Sequence, residues 1–239
     1  MEAISKRHPA LEIVATSGVS ARLAAQNGAD RIEACEALEL GGLTPSPEVL
    51  ADILEHRPRL GIHALLRSRP GDFHYDALDV SVMRRQARRL ALAGVDGVVL
   101  GALNAQRQLD LETIQILADS CLEVNPELEI TVHRAIDAST DPVHAVSQLL
   151  ALGVRRVLTS GGRESAGDGM GTITQMVHQA KTKIQIMSGG GMRVQDIATA
   201  TMAGVCAVHF SAKTPCAGTI RVSADQVREL RSAVDALER

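Results

Sequence analysis

The segment EITVHRAID, residues 129–137, starts as an alternating apolar run and ends in His133, Arg134 and Asp137. An imidazole can carry a proton near neutral pH, a guanidinium can grip a carboxylate or phosphate with its planar fork, and a carboxylate can orient either one. Similar groups punctuate other apolar runs. LEIVA carries Glu12, DRIEAC carries Arg31, Glu33 and Cys35, GIHALLR carries His63 and Arg67, and AVHFSA carries His209 and Ser211. Glu33 or His133 could act as general base or acid, with Arg31, Arg67 and Arg69 clamping an anion. A further run, KIQIMSG, closes on Gly189, Gly190 and Gly191. Glycines at such a point let backbone amides approach an anion closely, and Ser211 could add a hydroxyl, so these four residues form a candidate anion site. No GxSxG nucleophile elbow is present, and neither Lys183 nor Lys213 sits as a Schiff-base lysine would.

Something must hold these groups together, and the chain's internal repeat shows what. AAQNGADRIEAC, LALAGVDGVVLG, LALGVRRVLTSG and TMAGVCAVHFSA each read as a helix end, a glycine and a strand. The glycines (Gly28, Gly94, Gly153, Gly204) recur at intervals of 66, 59 and 51 residues, about two β-α units apart. One further strand is expected between each pair: 11–15, 61–66, 129–134 and 183–189. Helix starts follow from Ser46-Pro47, Asp141-Pro142 and a Ser223/Gln226 capping box. Eight strands alternating with helices over residues 1–239 read as a single (β/α)8 TIM barrel, preceded by a flexible segment over residues 1–10. A doubly wound open sheet is the alternative, but no GxGxxG follows the first strand.

In such a barrel, outward positions pack on helices and must be apolar, so the polar parity faces the axis. That rule directs Glu12, Arg31, Glu33, Cys35, His63, Arg67, Thr131, His133, Thr159, His209 and Ser211 inward. It sends Cys206 outward with Val208 and Phe210. His133, Arg134 and Asp137 then stand where a strand emerges at the C-terminal mouth, the face at which barrels of this kind keep their chemistry. A purely structural polar plug is the competing reading.

Bulk properties narrow the partners. A net charge of −3 and only three aromatic residues leave neither a basic surface nor stacking platforms for nucleic acid. No apolar run approaches the roughly 18–20 residues that span a bilayer. The opening MEAISKRHPALEIVA has no secretory pattern, so a cytoplasmic protein with reduced thiols is expected.

Five segments carry a family resemblance: EACEALELGGLTPS, RSRPGDFHY, HRAID, RVLTSGG and SGGGM. In order and spacing they resemble the copper homeostasis protein CutC family across nearly the whole chain. The resemblance implies a TIM barrel, a cytoplasmic location, a homo-oligomer and a relation to copper. It assigns motif roles to Glu12, Glu33, Cys35, Gly41, Gly42, Thr44, His63, Arg67 and Asp72. Further along, it marks His133, Arg134, Asp137, Thr159, Ser160 and His209. The chain departs from the family at Ile136, where a Phe is expected, and at Ala138-Ser139, where some relatives carry Met-Cys.

Cytosolic copper is Cu(I), which prefers thiolate and thioether ligands. Here the inward set offers Cys35 as a candidate metal ligand, with Met187 as a conceivable helper and no second sulfur at motif spacing. Three functions stay open: copper handling, an enzyme acting on a small anionic metabolite at the mouth, and a barrel retained for binding alone.

Overall fold

The computed structural model describes residues 8–216 and 219–238. Eight parallel strands close into one barrel in chain order: β1 (Ala10–Ala15), β2 (Arg31–Ala34), β3 (Ile62–Leu65), β4 (Gly97–Leu100), β5 (Glu129–Val132), β6 (Arg156–Thr159), β7 (Gln185–Gly189) and β8 (Ala207–Phe210). Helices α1 (Gly18–Gln26), α2 (Pro47–Leu54), α3 (Ala77–Leu92) and α4 (Leu111–Leu122) follow the first four. The others are α5 (Pro142–Leu149), α6 (Met170–Ala180), α7 (Ile197–Met202) and α8 (Ala224–Asp235). The TIM barrel expected from the glycine repeat is therefore present, and all four repeat glycines take the positive φ that ends a helix. The helix starts also match: Ser46, Asp141 and Ser223 each accept a backbone N–H from the first turn.

Three details differ from the expectation. Ala10 already pairs with Ala207, so β1 begins inside the segment expected to be flexible, of which residues 1–7 lie outside the described residues. β5 ends at Val132 and not at Arg134, because the His133 Nδ1 accepts the Ala135 N–H and starts a 3-10 turn over Arg134–Ala138. After β8 comes an unanticipated hairpin, β9 (Lys213–Cys216) with β10 (Thr219–Val222).

The main core lies between barrel and helices. Leu11, Ile13, Ile32, Ile62, Val98, Val132 and Val208 from the strands meet Ile53, Met83, Ile114, Ile173 and Leu230 from the helices. Inside the barrel two smaller apolar clusters, Val14–Cys35–Leu65–Val99 and Leu158–Met187–Ala207, frame a layer of charge. Register builds that layer: Glu12 stands opposite both Arg31 and His209, and Glu33 opposite His63.

Candidate functional site

Arg31 and Glu12 form an ion pair at 3% and 1% exposure, with an Arg31 nitrogen also 3.4 Å from the Met187 sulfur. Burial opposes the charge on Glu12, but Arg31 and His209 hold its carboxyl well below the ordinary value. From Glu12 the chain of contacts climbs to the mouth. His209 Nδ1 lies 2.7 Å from Glu12 Oε1, and its Nε2 lies 3.8 Å from Glu33 Oε2. Burial disfavours a charged His209, yet Glu33 and Glu12 together raise its pKa. Glu33, unlike Glu12, is pushed up to about 7 by burial and by the Glu12 charge against the pull of His209 and Arg31. A carboxyl titrating near neutrality at a cavity wall can take and return a proton under ordinary conditions.

That cavity, about 630 Å³, opens at the C-terminal end of the strands. Glu33, Arg67, His133, Arg134, His209 and Ser211 contribute to its wall, with Gly190 and Gly191 and, above them, Arg193, Lys213, Gln226 and Glu229. His133 directly follows β5, against Gly101, where a Cβ would stand 2.7 Å from the imidazole. Its Nδ1 accepts from Ala135, so the proton resides on Nε2, which is buried and has no partner among the described residues. Burial and the neighbouring Arg67 push its pKa down to about 3. His133 is thus placed as a neutral hydrogen-bond donor, its Nδ1 lone pair already taken by the Ala135 N–H.

Arg134 donates from Nε to Asp137 and from Nη2 to Ser160, both at 2.9 Å. Its guanidinium lies flat on Gly190, where any Cβ would be 2.5 Å from Cζ, and Gly190 holds φ +96. Asp137 is itself pinned by Thr159, by Ser160 and by the Gly162 amide, so it serves to aim Arg134 and not to line the cavity. Arg67 also reaches the wall, but it donates to the Leu40, Gly42 and Gly71 carbonyls and packs on Phe73, which leaves Arg134 the better placed to meet an anion.

Other expected site residues fall elsewhere. Thr159 points outward to Asp137 and the Met176 sulfur, while Leu158 takes the inward place; a hydroxyl with a loop carboxylate to bond has no need of the axis. Arg31 is consumed by Glu12 and cannot clamp a ligand. Arg69 and Asp72 pair with each other outside the mouth, Arg69 also reaching Asp79 and Asp72 being 63% exposed. His63 lies deep, 3.7 Å from Glu129 and held neutral near a pKa of about 3 by burial and by Arg31. It faces a second cavity, of about 1120 Å³, at the N-terminal end. Though larger, that cavity is walled by arginines already committed to acids: Arg57 to Asp96, Arg231 to Asp30 and Arg156 to Glu129. Gly189 is not on the mouth wall; it makes room for His209, whose Cβ would be 2.8 Å from a Cβ placed there. Arg193, Lys213, Gln226 and Glu229 escaped the sequence reading as wall residues because the turn after β7, the β9–β10 hairpin and α8 bring them in.

For metal, the described residues offer one converging set, Glu12, Glu33 and His209, with donor atoms within 4.8 Å of one another. It is an oxygen and nitrogen set, and Arg31 already neutralises Glu12, so a second cation there meets opposition. Cys35 does point inward, but its sulfur is fully buried among Val14, Leu65 and Val99 and covered by Gly42. Burial and the nearby Glu33 push its thiol well above the usual range. Cys206, expected in the outer core, packs instead on the inner Leu158–Met187–Ala207 cluster near Arg156 and Arg31, so Cys35 is not the one inward thiol.

With this geometry established, relatives place the chain. The model of the CutC family matches residues 10–214. The chain belongs to the CutC family. The CutC family protein of Xanthomonas campestris pv. campestris (strain B100) is 41% identical over 92% of this chain and 90% of its own length. That of Xanthomonas axonopodis pv. citri (strain 306) is 42% identical over the same shares. Among solved structures, the Streptococcus agalactiae CutC protein, whose description names copper homeostasis, superposes with a TM-score of 0.76. It is 26% identical and covers 85% of this chain and 98% of its own. No helix of the described residues is long and apolar enough to cross a membrane.

Proposed function

We propose that this CutC family chain is an acid–base enzyme that acts on a small anionic metabolite at the mouth of its barrel, as a cytoplasmic homo-oligomer. One observation carries the reading: Glu33, on the cavity wall, faces His209, which in turn bonds the buried Glu12–Arg31 pair. Such a series holds a proton at the wall while the charge beneath stays compensated, which a plug serving stability alone does not need. Its titration near neutrality agrees. Arg134, laid over Gly190 and beside the Gly191 backbone, supplies the cation for a carboxylate or phosphate.

The family name points to copper handling. Cu(I) calls for soft ligands, but the Met192 thioether is the one sulfur among the described residues lining the mouth, and Cys35 is sealed in an apolar pocket with its thiol protonated. The residues do not fit that ion.

The test pairs two titrations of the purified protein. Small carboxylates and phosphates, followed by the amide signals of Gly190 and Gly191, are expected to bind, and Arg134→Met to weaken binding at least tenfold. Cu(I) presented with a competing chelator is expected to stay with the chelator. A stoichiometric Cu(I) complex lost in Cys35→Ser, with no anion binding, overturns the proposal in favour of copper handling.

A further inference from the structure

Resting on that reading, we infer that the mouth enolises a carbonyl compound bearing a carboxylate or phosphate, with Glu33 carrying the proton and His133 holding the carbonyl oxygen. The inference turns on two unlike groups sharing one cavity wall. Glu33 is a carboxyl whose ion-pair partner there, the His209 imidazole, stands 3.8 Å away, beyond hydrogen-bond reach, which leaves it free to exchange its proton. His133 is the reverse, an imidazole that does not exchange its proton. Its Nδ1 is filled by the Ala135 N–H, and a second proton would set a cation beside Arg67. What it offers is Nε2–H, buried and lacking an acceptor among the described residues, on a side chain that lines the cavity. A buried donor left without a partner costs about 1–3 kcal/mol. A ligand oxygen that reaches it removes that cost.

A base of tunable pKa set against a fixed, neutral imidazole donor is the arrangement that proton abstraction next to a carbonyl requires. The Glu33 carboxylate takes a proton from the carbon beside the carbonyl. The C–H bond breaks, an O–H bond forms on Glu33, and the electron pair moves to the carbonyl oxygen. The resulting enolate oxygen accepts a hydrogen bond from Nε2–H, and that proton stays on His133. Glu33 then returns its proton to the same carbon. Atoms and charge balance within the substrate, so no oxidant or cofactor enters. Arg134 fixes the anionic end, which sets the carbonyl between the two groups.

The arrangement also explains two glycines. Gly101 must lack a side chain because His133 occupies the space a Cβ would take, and Gly190 because Arg134 does. Both close approaches serve the positions of groups in this mechanism.

The experiment is hydrogen–deuterium exchange in D2O near neutral pD, read by proton NMR, with pyruvate and dihydroxyacetone phosphate as probes. The full-length protein is expected to exchange the protons beside the carbonyl of at least one probe tenfold or more above buffer. Glu33→Gln should return the rate to that of buffer. His133→Asn keeps an oxygen where Nδ1 accepts from Ala135, so the fold-preserving cap survives while Nε2–H is lost. Its exchange should fall to near that of buffer, since removing one oxyanion donor costs about 100-fold. Perturbed Gly190 and Gly191 amides without exchange of either probe overturn the enolisation while the anion-binding reading stands. Exchange unchanged in His133→Asn overturns the role given to that residue. Neither perturbation nor exchange removes both readings together.

Discussion

Replacing Glu33 by Gln should change how stability depends on pH in a direction opposite to that of an ion-paired carboxylate such as Glu12. The ordinary value of 4.5 is raised to about 7 in the folded chain, chiefly by burial and then by the Glu12 charge. Between those values the folded state binds one proton more than the unfolded state, so stability falls as pH rises, by about 1.4 kcal/mol per unit. This contribution is complete below the unfolded pKa and gone above the folded one. The amide does not titrate. From pH 5.5 to 7.5 the wild type should therefore lose about 2 kcal/mol relative to Glu33→Gln, the loss ending near pH 7. Urea denaturation at half-unit pH steps, analysed with a common slope, measures the difference directly. Curves that stay parallel across this window, or a variant that gains stability only below pH 5.5, would refute the raised pKa and with it the compensated series beneath the mouth.

Arg31→Met should cost about 3–5 kcal/mol, because it leaves Glu12 charged and buried without its partner. Adding Glu12→Gln should recover part of that loss, and a double variant no more stable than the single one contradicts the pairing. Gly190→Ala should destabilise by about 1–3 kcal/mol, since φ +96 is strained for alanine and its Cβ displaces the Arg134 guanidinium. Anion binding should weaken in parallel, and unaltered binding would remove Arg134 from the site. Cys35 should resist thiol reagents in the folded protein at pH 8 and react only on unfolding, as mass spectrometry of the labelled chain would show.

The barrel was legible because a closed parallel sheet buries both faces of each strand, leaving apolar runs such as DGVVLG at a spacing that the Gly28, Gly94, Gly153 and Gly204 turns punctuate. Parity was legible where a charge had to avoid the helices: Glu12, Glu33, His63, His133 and His209 all take the inward side. At β6 it failed, because Thr159 finds an acceptor in Asp137, a residue of the β5 loop 22 positions away. Parity also says nothing of depth along the axis. Glu33 and His63 are register partners, yet Glu33 reaches the mouth cavity and His63 the one at the opposite end. Nor could it reveal that Arg31 is spent on Glu12 while Arg134 stays available, since that depends on side-chain reach across strands. The neutrality of His133 was hidden for the same reason: it arises from a backbone N–H that only the 3-10 turn after β5 directs at Nδ1.

Under the proposed reading, the position of Glu33 above a compensated base makes ligand binding and proton uptake one event. Burial, aided by the Glu12 charge and opposed by His209 and Arg31, leaves Glu33 about half ionised near pH 7. An anion held by Arg134 in the same cavity adds negative charge and favours the protonated carboxyl. Binding should therefore draw in part of a proton, and affinity should fall as pH rises through 7, by up to tenfold per unit if the charged carboxylate excludes the anion altogether. Proton abstraction needs the opposite form, so turnover of bound substrate should rise over the same interval. The two trends cross, and exchange at low probe concentration should pass through a maximum near neutrality. Calorimetric titration of an anionic probe at pH 7.5, in buffers of different ionisation enthalpy, measures the uptake. A heat independent of buffer, with affinity flat from pH 6 to 8.5, would place the bound anion too far from Glu33 for any chemistry between them.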